Sequence, residues 1–354
     1  MFKFINKIKK INFRFDFPKT NSILQYDHHH SDILRKTLKK EINVLSRRKM
    51  EIYFWIFLKQ VIFLDFSFLT YFKNYIKYTS TKIVINCIDN DLNYYTFKKH
   101  IEGVYFLAIQ NGVRPPNSII FQNKKLKNLK CDYFFLFNKF LIKQFKKKLK
   151  SEFYVMGNFH NNMIKVRKTC HLKSFLFISR GNIDVPLLNQ LATYFIKSNK
   201  KINILLKSKD ILNQKKEIEF YKFFFKSNCI FKKCNTWQKT YQTLDKFENI
   251  IFTNSTLGYE AIARKKKVAV FPLNQEKFDK NVFGWPKKKK KNYNFFLANS
   301  ISYPEVERIL DNIYNCNQER WENKYFKSIS DLMYFNKDNY YLKDIVNKLL
   351  EKKL

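Results

Sequence analysis

The chain has few cysteines, and none of them belongs to a recognisable metal or disulfide motif. Its six cysteines form no Cys-x-x-Cys pair, and the spacing of Cys229 and Cys234 fits no standard zinc site. The first residues lack an apolar core followed by a small-residue cleavage site, so no signal peptide is expected. We therefore expect free thiols in a cytoplasmic protein. A chain of 354 residues buries enough surface to fold without a disulfide or a metal.

Arginine and acidic residues are also scarce. Only ten of the 68 basic residues are arginine, and 29 acidic residues leave a net charge of +39. Proteins that read nucleic-acid sequence favour arginine for bidentate contacts, so a specific nucleic-acid reader is not expected. Abundant Lys, Asn, Ile and Phe are typical of an AT-biased genome. Compositional drift and a functional attraction to an anionic membrane therefore both remain open as sources of the charge.

A long uninterrupted apolar run is missing as well. Residues 52–72 are numerous enough to cross a bilayer, but Lys59, Gln60 and Asp65 lie in the middle of this stretch. Each charge at a bilayer centre costs about 2.5–3.5 kcal/mol on insertion scales. The stretch is therefore predicted to be a buried helix–strand segment.

Short apolar runs alternate with helical patterns through the first half of the chain. Strands are predicted at residues 22–26, 82–88, 104–109, 133–137 and 154–156. After the first strand, apolar residues recur at helical spacing from Ile33 to Leu45. Continuous apolar runs separated by helices indicate a parallel sheet covered on both faces.

A second β/α pattern begins at Phe175, after a polar stretch, and it predicts strands at residues 175–179, 203–206, 229–231, 250–252 and 268–271. The expected fold class is α/β, with two Rossmann-like doubly wound parallel-sheet domains facing a cleft. We expect an N-terminal domain over residues 1–160, a linker over 161–174, a C-terminal domain over 175–325, and C-terminal helices over 326–354 that pack back on the first domain.

The most informative window is Ile250–Phe271. A predicted strand leads through Asn254, Ser255 and Thr256 into a helix, and α/β sheets bind ligands at such junctions. The unpaired amides and the dipole of a helix N-terminus suit a phosphate. Glu260 lies one turn beyond Thr256 on the same helix face, where a carboxylate can accept both hydroxyls of a ribose. A capped structural helix explains the same spacing.

This window, which reads TNSTLGYEAIARKKKVAVF, resembles the donor-nucleotide segment of GT-B glycosyltransferases and of UDP-N-acetylglucosamine 2-epimerases. More closely, the chain resembles bacterial surface-carbohydrate biosynthesis proteins of the GT-B type, which make lipopolysaccharide or capsule. Further similar stretches are INCIDNDLNYY, AIQNGVR, CDYFFLFN, YVMGNFHNN, VFGWP and EVERILDNIYN. The resemblance implies a GT-B fold and transfer of a sugar from a nucleotide-activated donor during surface-polysaccharide synthesis.

The resemblance also implies a donor-nucleotide site in the second domain. Its candidate residues are Asn254, Ser255, Thr256, Gly258 and Glu260, with Arg180 and Lys207 as cations beside the diphosphate. GT-B enzymes offset the charge of the leaving diphosphate with cations and helix dipoles, so neither an essential metal nor a separate cofactor is implied. The sequence Asp89-Asn90-Asp91 has the letters of a metal-binding DxD motif, but it lies in the first half of the chain.

Three predicted strand ends of the first domain carry polar residues, and they should open on one cleft edge. An inverting transfer needs a general base near the acceptor hydroxyl, and the candidate bases are Asp27, His28 and Asp89. Candidate residues that orient an acceptor are Asn90, Gln110, Asn111 and Gly112. Turn and cap chemistry explains the same residues.

Three functions remain open at this point. The preferred one is a glycosyltransferase; the second is a sugar-nucleotide epimerase or a glycerol-phosphate-type transferase, and the third is a non-enzymatic nucleic-acid- or membrane-binding protein. Epimerases carry an acidic–arginine loop where this chain reads FPLNQEKFDKNVFGWP, which disfavours an epimerase. The expected partners are a nucleotide-sugar donor, a glycan or lipid-linked acceptor, and the inner face of the cytoplasmic membrane as an anionic surface.

Overall fold

The structure is a computed structural model that describes residues 11–46, 49, 51–62, 64–113, 129–167, 172–178, 185–208, 210–253, 255–271 and 291–352. Over these residues the chain forms two large parallel sheets, each with its own helices, and one small sheet. The small sheet pairs β1 (Asn12–Arg14) with β4 (Glu51–Tyr53) in parallel.

A six-stranded sheet forms the centre of the first domain. Its strands pair in the order β3-β2-β5-β6-β7-β8, and every pairing is parallel. These strands are β2 (Ile23–Tyr26), β3 (Asn43–Leu45), β5 (Ile83–Asn86), β6 (Tyr105–Ile109), β7 (Leu129–Leu136) and β8 (Leu149–Val155). The β5 and β6 segments are apolar on both faces because helices cover both sides of the sheet.

Different helices cover the two faces of this sheet. The helices of the first domain are α1 (Ser31–Leu38), α2 (Phe54–Ile62), α3 (Phe68–Thr79), α4 (Leu92–Phe97) and α5 (Phe140–Lys146). Alternate strand residues such as Leu24, Val84 and Phe106 pack with side chains of α2, α3, α4 and α5. Their neighbours, such as Ile23 and Ile85, pack with α1 on the other face.

A five-stranded parallel sheet forms the second domain, in the order β11-β10-β9-β12-β13. Its strands are β9 (Leu172–Ile178), β10 (Ile202–Leu205), β11 (Cys229–Lys232), β12 (Phe247–Phe252) and β13 (Lys267–Val270). The helices of this domain are α6 (Val185–Lys197), α7 (Ile211–Phe225), α8 (Trp237–Asp245), α9 (Thr256–Ala263) and α10 (Tyr303–Asn315). Two parallel sheets of this kind confirm the predicted fold class.

The end of the chain returns to the first domain. Short helical turns over residues 318–332 pack into the core of the second domain. The last helix, α11 (Tyr340–Glu351), packs beside α1 on the first sheet, where Leu342 and Val346 are fully buried. The chain therefore crosses between the domains twice, before β9 and again before α11.

Two local predictions need correction. The helix expected through Leu45 ends at Leu38, because Lys39 takes a left-handed conformation at its C-cap, and residues 43–45 form β3 instead. The apolar segment over residues 52–72, predicted to be buried, forms the end of β4, α2 and the start of α3 and leaves large apolar side chains such as Ile62 and Leu64 exposed. Among the described residues, every helix is too short or too polar to span a bilayer.

Candidate functional site

The junction between β12 and α9 lies at the carboxyl edge of the second sheet. β12 is an inner strand, paired with β9 on one side and β13 on the other. Ser255 occupies the N-cap of α9 in an extended conformation, but its side chain makes no capping hydrogen bond. The Ser255 hydroxyl therefore does not cap the first amides of α9. A helix N-terminus without a side-chain cap can bind an anionic ligand. Asn254 lies outside the described residues.

Gly258 allows α9 to pack closely against the end of β12. A Cβ atom at this position would lie 2.1 Å from Cγ of Phe252, whose ring is fully buried. The structure thus gives Gly258 a packing role: it lets the helix approach the strand that precedes the junction.

Glu260 is buried on α9, with only 5% of its surface exposed. Its Oε2 atom accepts a hydrogen bond of 2.6 Å from the hydroxyl of Tyr241 on α8. Burial raises the pKa of Glu260 to about 7, although the Tyr241 hydrogen bond and the charge of Arg264 both act to lower it. One carboxylate oxygen is therefore engaged within the protein.

Arg264, at the C-cap of α9, ties this helix to the connection between the domains. Its guanidinium forms a two-pronged ion pair with Asp245 of α8; the Nε–Oδ1 distance is 2.7 Å, and Nη2 contacts Oδ2. Both side chains are almost wholly buried. Nη1 also donates to Oδ1 of Asn161 at 3.0 Å and to the carbonyl of Ile164 at 3.1 Å. The helix that carries Glu260 is thus fixed to the segment that leaves the first sheet.

The loop after β6 carries three of the candidate acceptor residues, and buried side chains hold it in place. Gln110 donates to the carbonyl of Gly112 at 2.9 Å and accepts from the amide of Phe137 at 2.9 Å. Oδ1 of Asp89 accepts a hydrogen bond of 3.1 Å from the amide of Asn111. Asp89 is 0% exposed, so its carboxylate is used to fix this loop. The neighbouring Asn90 is exposed.

This loop meets the start of α9 across the boundary between the domains. The amide of Val113 donates a long hydrogen bond of 3.4 Å to Oγ1 of Thr256. Val113 also packs against the apolar core of the second domain. The structure therefore brings together two groups of residues that sequence reasoning placed in different domains, namely Gln110, Asn111 and Gly112 with Ser255 and Thr256.

The turn after β2 presents a histidine beside a buried carboxylate. Asp27 is 2% exposed and has a positive φ of 80°. Its Oδ1 lies 3.0 Å from Nδ1 of His28, which is also 3.1 Å from Oγ of Ser46. Because 42% of the His28 side chain is exposed, this ring can be reached from solvent while Asp27 and Ser46 hold its inner nitrogen.

A second histidine of the same turn contributes to the contact between the domains. Nδ1 of His30 lies 2.8 Å from Nε2 of His160, and the His160 ring stacks on Trp237 of α8 at a centroid distance of 5.7 Å. Burial, together with His160 and His29, lowers the pKa of His30 to about 2, so this ring is neutral. His30 therefore acts here as an uncharged structural residue in contact with His160.

Lys207 is not brought to the junction. It is exposed at the end of β10, and its amide donates to Oε1 of Glu217 at 3.1 Å. Since β9 lies between β10 and β12, Lys207 and Ser255 belong to strand ends two positions apart. Arg180 lies outside the described residues. Within the described part of the chain, no group of three or more His, Cys, Asp or Glu side chains is placed to hold a metal ion.

Sequence reasoning missed several residues of this region. Tyr241, Asp245 and Trp237 lie on α8. Amphipathic helices are common, so the sequence pattern of this helix did not indicate a role in the site. His160 and Asn161 belong to YVMGNFHNN, a stretch that the family resemblance marked without assigning a role to any residue in it. The family resemblance of that stretch was the sequence feature from which these contacts between the domains could have been predicted.

Comparison with known proteins identifies the family. A family model described as "putative O-antigen biosynthesis protein" matches residues 107–186 and 182–350. No curated protein sequence matches the chain. A glycosyltransferase from Rickettsia africae ESF-5 superposes with a TM-score of 0.53 and 13% identity, covering 95% of this chain and 100% of that one.

Two further solved structures are similar over nearly the whole chain. The wall teichoic acid polymerase TagF, soaked with CDPG, has a TM-score of 0.55 and 10% identity, covering 94% of this chain and 90% of its own. A "putative UDP-N-acetylglucosamine 2-epimerase" from Listeria monocytogenes has a TM-score of 0.56 and 11% identity, covering 95% and 98%. At these identities the three structures establish the fold, while the family model spans more than half of the chain. The chain therefore belongs to this "putative O-antigen biosynthesis protein" family, and its fold is the GT-B fold.

Proposed function

We propose that this protein transfers a sugar from a nucleotide-activated donor, bound at the junction of β12 and α9, to an acceptor bound by the first domain. The contact between Val113 and Thr256 carries this proposal, because it sets a helix N-terminus suited to an anion against the polar loop after β6. Membership of the O-antigen family supports it further. Two of the similar structures are described with a nucleotide-containing compound: TagF was soaked with CDPG, and the name of the Listeria monocytogenes protein contains UDP-N-acetylglucosamine.

In this proposal the donor diphosphate lies at the N-terminus of α9. The amides of the first helical turn and the hydroxyls of Ser255 and Thr256 meet its oxygens, and preorganised dipoles of this kind stabilise the charge of the leaving group. The ribose meets Oε1 of Glu260, because Tyr241 holds Oε2. Asn254 and Arg180 would complete the proposed donor site with a polar and a cationic group, whereas Lys207 lies two strand ends away and is left out. No metal ion or separate cofactor is required in this proposal.

His28 is the candidate base that the geometry favours. Its Nδ1 faces Asp27 and Ser46, so Nε2 is the nitrogen that can accept a proton from an acceptor hydroxyl. Asp27 would orient the ring and stabilise its charged form. Asp89 is buried against Asn111, so we propose that it positions the loop after β6. With Asn90, this loop would orient the acceptor, which we propose to be a glycan or a lipid-linked glycan.

A glycerol-phosphate-type transferase is the second candidate, and the likeness to TagF favours it. That likeness covers 94% of this chain, and TagF is named as a polymerase that was soaked with CDPG. A sugar-nucleotide epimerase is the third, and it would act without an acceptor. All three require an activated nucleotide at the same junction, so the identity of the bound nucleotide separates them better than the fold does.

A thermal-shift screen against UDP-, GDP-, CDP- and CMP-sugars, with CDP-glycerol as a further ligand, tests the proposal. A ligand at about 100 times its dissociation constant stabilises the folded state by roughly 2.7 kcal/mol. We expect one nucleotide class to raise the melting temperature more than inorganic pyrophosphate does, which controls for attraction to the net charge of +39. Equal shifts for every anion, or no shift for any nucleotide, would contradict a donor site.

Glu260→Gln is expected to weaken binding of that nucleotide by about 1–3 kcal/mol, because a carboxylate that accepts ribose hydroxyls loses an acceptor. Isothermal titration calorimetry measures the change. Glu322→Gln is the matched control, since Glu322 is a partly exposed glutamate of the second domain whose partner is Lys265. Unchanged affinity in a folded Glu260→Gln protein would remove Glu260 from the donor site.

The same variant should not lose stability, which separates a binding defect from a folding defect. Burial raises the pKa of Glu260 from 4.5 to about 7, so between these two pH values the folded protein holds a proton that the unfolded chain has lost, and above about 7 the side chain is a carboxylate. The stability that this protonated form contributes is therefore lost as pH rises through about 7. Glutamine is neutral at every pH, so Glu260→Gln should melt no lower than the wild type above pH 7.

We also propose a peripheral position on the inner face of the cytoplasmic membrane. Lysines of the first domain surround an open pocket with a volume of about 810 Å³ at the amino ends of β7 and β8. Its lining includes Lys99, Lys130, Lys146, Lys148 and Lys150. Each basic residue near an anionic lipid surface contributes about 1 kcal/mol. Such binding should weaken steeply as salt screens the charges.

A further inference from the structure

The outward face of α2 is apolar although it faces solvent. Large apolar side chains along this helix and its neighbouring loops are between 37% and 80% exposed. We call this set the outer ridge, and it consists of Phe17, Trp55, Leu58, Ile62, Leu64 and Phe66. Several large exposed apolar side chains grouped on one helix and its neighbouring loops are unusual for a protein surface and indicate a contact with something else.

Aromatic contacts make the first half of the outer ridge rigid. The ring of Phe17 stacks on Trp55 at 6.0 Å and on Tyr78 of α3 at 5.6 Å. Nε1 of Trp55 donates to the carbonyl of Phe15 at 2.8 Å. On the opposite side of α2, Ile56 is buried in the core of the first domain. The helix therefore cannot turn its outer face inward without exposing Ile56 and the buried side chain of Gln60.

The tip of the outer ridge is held in an unfavourable backbone conformation. Leu64 has φ +53° and is 80% exposed, although leucine rarely adopts left-handed geometry. The buried side chain of Gln60 fixes this turn, because its amide donates to the carbonyls of Asp65 at 2.9 Å and of Ser67 at 3.0 Å. Strained positions of this kind persist where the surroundings impose them, often at functional surfaces. Here they project an apolar side chain into water.

We infer that the outer ridge inserts into the boundary between head groups and acyl chains of an anionic membrane. The net charge of +39 opposes association with a second copy of the chain and attracts an anionic partner. Nucleic acid would offer phosphates rather than an apolar surface. A helix with Trp, Leu and Ile on its outer face, close to the exposed Lys59, Lys73 and Lys77, matches a helix that lies in a membrane interface.

This inference deepens the membrane position proposed above and rests on it. The lysine-lined surface and the outer ridge both belong to the first domain, which also carries the candidate acceptor residues. An attachment through this domain would leave the second domain free of the lipid. It would therefore place the acceptor half of the cleft nearer to the membrane than the donor half.

The double variant Ile62→Gln/Leu64→Gln tests the outer ridge without changing charge. Its matched control is Ile211→Gln/Leu212→Gln on α7 of the second domain, where the two side chains are 70% and 68% exposed, against 71% and 80% for the first pair. Both variants should keep the wild-type circular dichroism spectrum, because neither alters a buried side chain. Sedimentation with phosphatidylcholine vesicles, with or without phosphatidylglycerol, is measured at low and at high sodium chloride.

At high salt the wild type and the α7 variant should bind phosphatidylglycerol vesicles more weakly than at low salt but should keep a measurable part of their binding. The Ile62→Gln/Leu64→Gln protein should partition about tenfold or more weakly, since two large apolar side chains no longer leave water. Equal binding of the two variants, or complete release of the wild type by salt, would overturn the insertion. So would a lipid-free dimer in analytical ultracentrifugation that Ile62→Gln/Leu64→Gln dissociates. Lack of any preference for phosphatidylglycerol at low salt would overturn the membrane position itself. None of these results would bear on the proposed sugar transfer, because nucleotide binding is tested separately by the thermal-shift screen.

Discussion

Replacing Asp245 with alanine is expected to lower the free energy of unfolding by about 3–5 kcal/mol, as is usual when one partner of a buried ion pair is removed. The guanidinium of Arg264 is 0% exposed and would remain charged without its carboxylate. The amide of Arg167, 3.3 Å from Oδ2 of Asp245, would lose its acceptor as well. Urea denaturation followed by circular dichroism measures the change.

Lys265, the residue after Arg264, forms an exposed ion pair that provides a matched control. Lys265 pairs with Glu322 at 3.0 Å on the surface, so Glu322→Ala should cost less than about 1 kcal/mol. If Asp245→Ala does not fold, the double variant Arg264→Met/Asp245→Leu should be more stable than the single one, because it leaves no unpaired charge. Similar losses for Asp245→Ala and Glu322→Ala would show that the buried pair does not hold α8 and α9 together.

His28→Ala is expected to reduce the single-turnover rate of sugar transfer by about 10²–10⁴-fold, equivalent to roughly 3–5 kcal/mol in the barrier. Asp27→Asn should slow the same step, because the amide no longer stabilises the protonated imidazole. Asp89→Asn should act mainly on acceptor affinity through the loop after β6. For His28→Ala and Asp27→Asn, affinity for the donor, measured by calorimetry, should stay nearly constant, since the proposed donor site lies on the other domain.

His100→Ala is the matched control for the base, because His100 is another exposed histidine of the first domain and lies in a short helical turn after α4. It should retain the wild-type rate. If Asp89→Asn alone abolishes turnover, the buried carboxylate is the base and His28 is not. If all three variants at the candidate bases turn over normally, none of the three residues is the base, and the general-base step proposed for His28 is wrong.

The layered architecture could be predicted because buried parallel strands leave a direct trace in the sequence. KIVINCI contains β5 and VYFLAI contains β6, each an apolar run that stops at polar residues on the carboxyl edge. The junction of β12 and α9 was predictable for the same reason, although the helix begins at Thr256, with Ser255 as its N-cap. These features depend on residues close together in the chain.

Where the prediction failed, distant packing outweighed a local pattern. Ile42 and Leu45 fit helical spacing, yet Leu45 lies in β3 and Ile42 lies just before it. Both side chains are buried, and β3 pairs with β2. The main contacts around Glu260 were also invisible: Tyr241 lies 19 residues away, and the Arg264–Asn161 pair spans 103 residues. Spacing in one sequence carries no record of such pairs, because only the assembled sheets bring them together.

The position of α11 has a consequence for biosynthesis. A nascent chain leaves the ribosome from its N-terminus, so the strands β2 to β8 are all available before the second domain has been made. One face of their sheet, however, is completed by Leu342, Val346 and Leu349, near the other end of the sequence. The first domain therefore cannot close its apolar core during its own synthesis, and it stays exposed to aggregation or to chaperones until residues 340–351 emerge. The domain made first is the one that finishes folding last.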